Sequence, residues 1–313
     1  MSHSSPTGYR NPHDPSDPEP WGPAESLPPR PPLAPTAQAV PERRTPGPGR
    51  KAAWLVPVGT AVFLGAWFGS GMLRSDVTTE IPVPVEDVQV TAATTAVSVH
   101  YADVPTARIV ELNKPRGSQL EHRVVDGELI VEHRTRSGIT FGPSWGQELE
   151  IVLPTASARD TPDVVVRTST GSIAVDGGFG ATDMTATTGS VRAAGSFEAV
   201  RAKVTTGSIE IDGTAPSVAA EATTGSVDVR VTAAQDVDAK ATTGSVDVTV
   251  DGPQPNRVTA RTTTGGIDLR LPGGSYQVEA KTTTGSVDVG VPEDPASPHR
   301  VQAEASTGSV RVR

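Results

Sequence analysis

The chain has 313 residues, of which 20% are charged and only 4% aromatic, with 31 glycines, 29 prolines and no cysteine. The missing cysteine excludes a disulfide framework, a thiolate metal site and a cysteine nucleophile, and a formal net charge of −9 speaks against nucleic-acid binding, which needs a basic footprint. A core must come from Val, Ile, Leu and Ala, and their mixture with Thr and Gly suits strands and tight turns.

Residues 1–51 form the first segment. Residues 1–49 hold fourteen prolines, too little apolar surface to offset the entropy of ordering, so a disordered cytoplasmic tail with polyproline-II character is expected. Residues 52–73 follow as an uncharged run of 22, AAWLVPVGTAVFLGAWFGSGML, long enough to cross a bilayer as a helix. Arg43, Arg44, Arg50 and Lys51 precede it, and Asp76, Glu80, Glu86 and Asp87 come after. The positive-inside rule then puts the N-terminus in the cytoplasm and the C-terminal part outside, as a single-span signal anchor in the cell membrane. Gly65 and Gly69 make a Gly-x-x-x-Gly pair through which two such helices can approach as a homodimer. Residues 74–84 are read as a linker. Everything beyond residue 75 is exported in this reading and carries 31 acidic against 20 basic residues.

Residues 85–313 are read as one body, with repeats over 163–313. A Thr-Gly step recurs at Gly171, Gly189, Gly207, Gly225, Gly244, Gly265, Gly285 and Gly308, at spacings of 18, 18, 18, 19, 21, 20 and 23. Two and four residues after each glycine the positions are apolar, as in Ile209 and Ile211, and the position between them is mostly charged. Before each glycine, Val and Ala columns such as Val218 and Ala220 flank polar residues such as Glu221. This period of two predicts two half-buried strands joined at a Thr-Gly-Ser corner. The glycine is expected to take a positive φ or to admit a close backbone approach. Stacked coils are the natural arrangement of such columns, giving an all-β fold: a single-stranded β-solenoid (β-helix) with a thin interior of Val and Ala. The variable stretches, such as Pro292 to Pro298, are expected to bulge without disturbing the stack. Residues 81–167 read as irregular early coils, with strands at Val97–Tyr101, Glu128–Val131 and Leu149–Leu153 and a glycine-rich loop carrying Phe141 and Trp145.

The eight Thr-Gly turns, seven of them T-G-S and all with Val or Ile two residues after the glycine, preceded by Gly127–Val131 and Leu149–Pro154, resemble a bacterial β-solenoid family of unknown function called "putative adhesin", and are similar to the head domains of auto-transporter adhesins. That resemblance covers about residues 85–313. It implies a β-solenoid and an adhesive role, with no catalytic residues and no cofactor.

The residues themselves point the same way. The six histidines make no close metal-binding pair, and His122 and His133 are expected at exposed strand positions. The corner serines lack a nucleophile elbow and are expected to hydrogen-bond the turn. The sharpest candidate is the outward acidic column Glu210, Asp228, Asp247, Asp268 and Asp288, whose stacked like charges would favour a bound cation or cationic partner. No enzyme is expected. Two readings remain open: an anchored envelope or surface module that contacts wall polymers or surface proteins, and a transmembrane sensor that couples the solenoid to the cytoplasmic tail. The C-terminal strand Ser309–Arg313 is expected at the open end of the stack.

Overall fold

The computed structural model describes residues 76–114, 118–135, 147–159 and 161–313. The proline-rich tail, the apolar run 52–73 with Gly65 and Gly69, and the loop with Phe141 and Trp145 lie outside the described residues. Among the described residues no helix is long and apolar enough to cross a membrane. The fold is all-β, and among the described residues the single helical turn is the 3-10 segment Thr155–Arg159.

Each repeat forms two strands that meet at the glycine corner. The arm before the corner, such as Ser217–Thr224, and the arm after it, such as Val227–Thr232, each pair in parallel with the same arm of the neighbouring coil. The register is in phase: Val218 faces Val237, Ala220 faces Ala239, and Val227 faces Val246. Inward columns from both arms merge into one continuous core, so the alternation read from the sequence corresponds to burial. The interior is not uniformly thin, however. Tyr101, Phe179 and Phe197 stack inside the early coils at centroid separations of 4.8 and 6.4 Å. Room for these rings comes from a second corner at Gly177, Gly195 and Gly213, six residues past the first. In the later coils Val231 and Val250 fill that position instead.

The corner glycine meets both sequence expectations at once. Gly225 has φ +135°, and a Cβ there would sit 1.7 Å from the carbonyl oxygen of Gly207. Its N–H donates to Thr243 O at 2.8 Å, and Val227 N–H donates to Ser245 O at 3.0 Å. The ladder therefore continues through the turn, and no buried peptide group is left unpaired there.

The coils do not stack in chain order. Arg300–Thr307 lies between Arg257–Thr264 and Gln277–Thr284, and Val310–Val312 lies between Ile267–Arg270 and Val287–Val289. The corner sequence in space is thus Gly244, Gly265, Gly308, Gly285. This corrects two expectations. The C-terminal strand is enclosed, and the open end belongs to the Gly285 coil. The stretch from Pro292 to Pro298 is no simple bulge but the crossover that carries the chain back past its own last coil. It packs around Tyr276, which is fully buried, receives a hydrogen bond from Asp294 N–H and donates its own N–H to Pro292 O.

The other end is interleaved in the same way. Asp87–Thr94 sits between Glu128–Thr135 and Val164–Thr170, and Ala96–Ala102 between Glu148–Pro154 and the start of Ile173–Thr188. Antiparallel strands then close it: Ser118–Val125 on Glu128–Thr135, Ala107–Leu112 on Glu148–Pro154, and Val77–Ile81 outermost. Val77–Ile81 falls in the stretch expected as linker.

Two glycines test the corner argument. Gly225→Ala is expected to destabilise the fold by about 3 kcal/mol or more, because both φ and the facing carbonyl oppose a side chain. Gly178→Ala, where nothing lies within 4 Å of the added Cβ, is expected to change stability by less than about 0.5 kcal/mol. Urea unfolding of the two variants measures the contrast.

Candidate interaction faces and a buried polar cluster

The outward charges form two columns, one on each arm. On the arm after the corner, Glu210 faces Asp228, Asp228 faces Asp247, and Asp247 faces Asp268. The column does not run on to Asp288, as stacking in chain order would require. Arg311 is inserted between Asp268 and Asp288, with contacts of 3.8 and 3.6 Å. Arg313 and Arg270 also reach Asp268, at 2.7 and 3.3 Å. Arg192 pairs with Glu210 at 2.5 Å and Arg230 with Asp228 at 2.7 Å. Chain cations thus neutralise much of the acidic column. Among the described residues no group of three or more potential ligands is gathered for a metal ion.

On the arm before the corner the spatial order is Lys203, Glu221, Lys240, Arg261, Glu304, Lys281. The enclosed last coil again supplies the opposite sign: Glu304 bonds Arg261 at 3.2 Å. That hydrogen bond holds the Glu304 carboxyl below its usual pKa, against a smaller opposing effect of desolvation. Read in chain order, Lys240, Arg261 and Lys281 would stand in direct succession; in space Glu304 separates the last two.

This second column lines a groove of about 670 Å³ that crosses the coils from Glu221 to Lys281. Its floor and wall hold Thr242, Thr263, Thr283 and Ser306. The two residues before each corner glycine are exposed in every repeat, as in Thr223-Thr224 and Thr242-Thr243. Turn demands therefore explain the backbone of the Thr-Thr pair but not its side chains. The threonine one place earlier does serve the turn: Thr262 Oγ1 donates to Gly244 O at 3.0 Å and Thr282 Oγ1 to Gly308 O at 2.9 Å. Of the corner serines, Ser190 Oγ donates to Ser172 Oγ at 3.0 Å, a bond between coils rather than to the turn backbone.

A third feature escaped the sequence analysis. His133 is not an exposed strand residue but 4% exposed. Its Nδ1 lies 2.9 Å from Thr95 Oγ1 and its Nε2 lies 3.6 Å from Glu111 Oε1. Lys114 Nζ donates to Glu111 Oε2 at 2.7 Å. His122 is on the adjacent strand, where it faces Val131 rather than His133. Thr95 occupies the corner position of the first coil, and its carbonyl faces Gly171. Glu111 and His133 both belong to the closed end of the stack. All three side chains are buried; His133 Nδ1 and Thr95 Oγ1 are within hydrogen-bond distance, while Glu111 Oε1 faces His133 as an ion pair but has no hydrogen-bond partner among the described residues. Desolvation pushes the Glu111 pKa up, but the interactions with His133 and Lys114 outweigh it, and the net shift is downward.

Two outcomes follow from these charges. Arg311→Glu places an acid between Asp268 and Asp288 and is expected to lower stability by about 1 kcal/mol at low salt, with the loss shrinking in 1 M salt, as melting curves will show. Glu111 has a folded pKa below its unfolded one, so its contribution is complete above the unfolded value and disappears as pH falls through the folded one. Glu111→Gln is therefore expected to remove part of the acid limb, below about pH 4.5, from a profile of unfolding free energy against pH.

Comparison with known proteins bears on the fold. No curated protein matches the chain. Among solved structures, a "putative cell adhesion protein" from Clostridium sporogenes ATCC 15579 shares 10% identity at a TM-score of 0.26, covering 77% of this chain and 99% of its own. A "putative adhesin" from Bacteroides fragilis NCTC 9343 shares 11% identity at a TM-score of 0.36, covering 76% and 97%. The family described as Toastrack DUF4097 matches residues 76–313, a span that takes in every strand of the stack, and the chain belongs to that family.

Proposed function

We propose that this chain is a non-enzymatic, membrane-anchored envelope protein whose solenoid binds a polymer of the cell envelope. The observation that carries the reading is the groove across the coils. Lys240 and Arg261 on adjoining coils, and Lys281 beyond the Glu304 coil, lie in it with exposed threonine hydroxyls, on coils spaced by about 4.8 Å. An extended polymer with hydroxyl and anionic groups meets an exposed hydroxyl on successive coils and a cation on three of the five, and each weak contact adds to the others. The adhesive role implied by the likeness of the turns to auto-transporter adhesin heads is one use of that contact. The anchor rests on the uncharged run 52–73 and its preceding basic residues, with the proline-rich tail in the cytoplasm and the solenoid outside.

Binding of the full chain, in mild detergent, to purified wall material tests this. The full chain is expected to sediment with intact wall and to be released by salt. Lys240→Glu is expected to weaken the interaction about tenfold at low salt, with its melting temperature checked separately. Equal binding by Lys240→Glu, or none by the unaltered chain, refutes the polymer reading. Protease added to intact cells is expected to remove an epitope at the C-terminus and to spare one at the N-terminus.

A further inference from the structure

The Gly285 coil ends the stack. Gln277–Thr284 pairs with Arg300–Thr307 on one side, and among the described residues no strand pairs with its other side. Val287–Val289 is likewise paired only with Val310–Val312. The inward residues of this coil are not sealed as their equivalents are. Val278 and Ala280 are half-buried and Val287 is 44% exposed, whereas Val258, Ala260 and Ile267 at the same places on a covered coil are at most 2% exposed. An eight-residue strand with one free side offers its backbone groups to another strand.

The charges on this strand say which strand fits. Gln277-Val278-Glu279-Ala280-Lys281-Thr282-Thr283 is self-complementary about Ala280. In an antiparallel pair related by a two-fold axis, residues equally far from the axis face each other. With the axis at Ala280, Glu279 of each copy faces Lys281 of the other, and Val278 faces Thr282 on the inner side. Centring on Glu279 or on Lys281 sets like charges opposite each other, which is unfavourable. A one-residue shift sends the inner residues outward. Parallel addition in register stacks Glu279 on Glu279 and Lys281 on Lys281. Glu279 and Lys281, now bonded to each other within the strand, have 51% and 65% of their side chains exposed, so they can re-pair across an interface without disturbing the core.

We propose that two copies of this chain join at the Gly285 coil, with Gln277–Thr284 of each pairing antiparallel about Ala280 and Glu279 meeting Lys281 across the junction. The pairing covers Val278 and Ala280 and makes one sheet continuous through both solenoids. It does not involve the run 52–73; Lys281 is shared with the groove, so the cross-linking is measured without wall polymer.

The chain has no cysteine, so Ala280→Cys in the full chain, in mild detergent, introduces a single thiol at the axis. Mild oxidation is expected to give a covalent dimer. Ala239→Cys, at the same place on a covered coil, is expected to give none. In the Ala280→Cys background, Lys281→Glu is expected to lower the cross-linked yield about tenfold, since acids then face acids at two positions. Glu279→Lys combined with Lys281→Glu is expected to restore it. Absence of the cross-link, a yield indifferent to Lys281→Glu, or failure of the charge exchange to rescue it overturns the proposal. A dimer held elsewhere sediments as a dimer but fails the cross-linking and is counted against it.

Discussion

The contact on which the structure depends is backbone against backbone at the Thr-Gly-Ser corner. Each corner Cα rests on the carbonyl oxygen of the neighbouring corner, as Gly225 does on Gly207, at a separation that leaves no space for a Cβ. The contact sets the phase of both arms together. Once Gly225 is placed over Gly207, Val227 must lie over Ile209 and Ala222 beside Val204. The inward columns of mainly Val, Ala and Ile then close one continuous core. Where the coil widens, a second glycine corner admits the ring stack of Phe179 and Phe197.

Nearly identical coils create an ambiguity that the corner cannot resolve, since any coil's glycine fits on any other's. The outward charges resolve it at one end. Lys281 and Asp288 repeat the signs of Arg261 and Asp268, whereas Glu304 and Arg311 invert them. Placing the inverted coil between the two others turns like-charge neighbours into Arg261–Glu304 and into Asp268–Arg311–Asp288 contacts. Individually such exposed pairs contribute little. Here they act together on a choice between arrangements whose cores are nearly equivalent, so small differences decide. The longer crossover through Pro292 and Pro298, fastened to Tyr276, gives the chain the reach to make that choice.

The same stacking generates the outer surfaces. Core and turn occupy the inward residues and the backbone, which leaves the Thr-Thr pairs and a column of mixed charge to line a groove across several coils. The opposite end is finished differently, by antiparallel strands and by a buried polar cluster of Glu111, His133 and Thr95. One end is thus covered by the chain's own antiparallel strands, and at the other no strand among the described residues pairs with the outer side of the Gly285 coil.

The sequence by itself determined the corner, the two-strand coil and the inward and outward faces, because these follow from a period of two and from a glycine that no other residue can replace. Val227, Val229 and Asp228 have the burial their alternation requires. It also contained the sign inversion at Glu304 and Arg311, but that inversion has no meaning until the neighbours are known. Tertiary structure alone decided which coil lies beside which, that Arg311 interrupts the acidic column before Asp288, and that His133 is buried. Those outcomes depend on contacts between residues far apart in the chain: Glu111, on a strand added antiparallel to Glu148–Pro154, meets His133, on a strand that pairs in parallel with Asp87–Thr94, and Asp268 meets Arg311 only because the chain steps back over its last coil. Local periodicity encodes which side of a strand faces the core, whereas the choice among equivalent partners is made by crossover length and by charges that come together only after the coils have stacked.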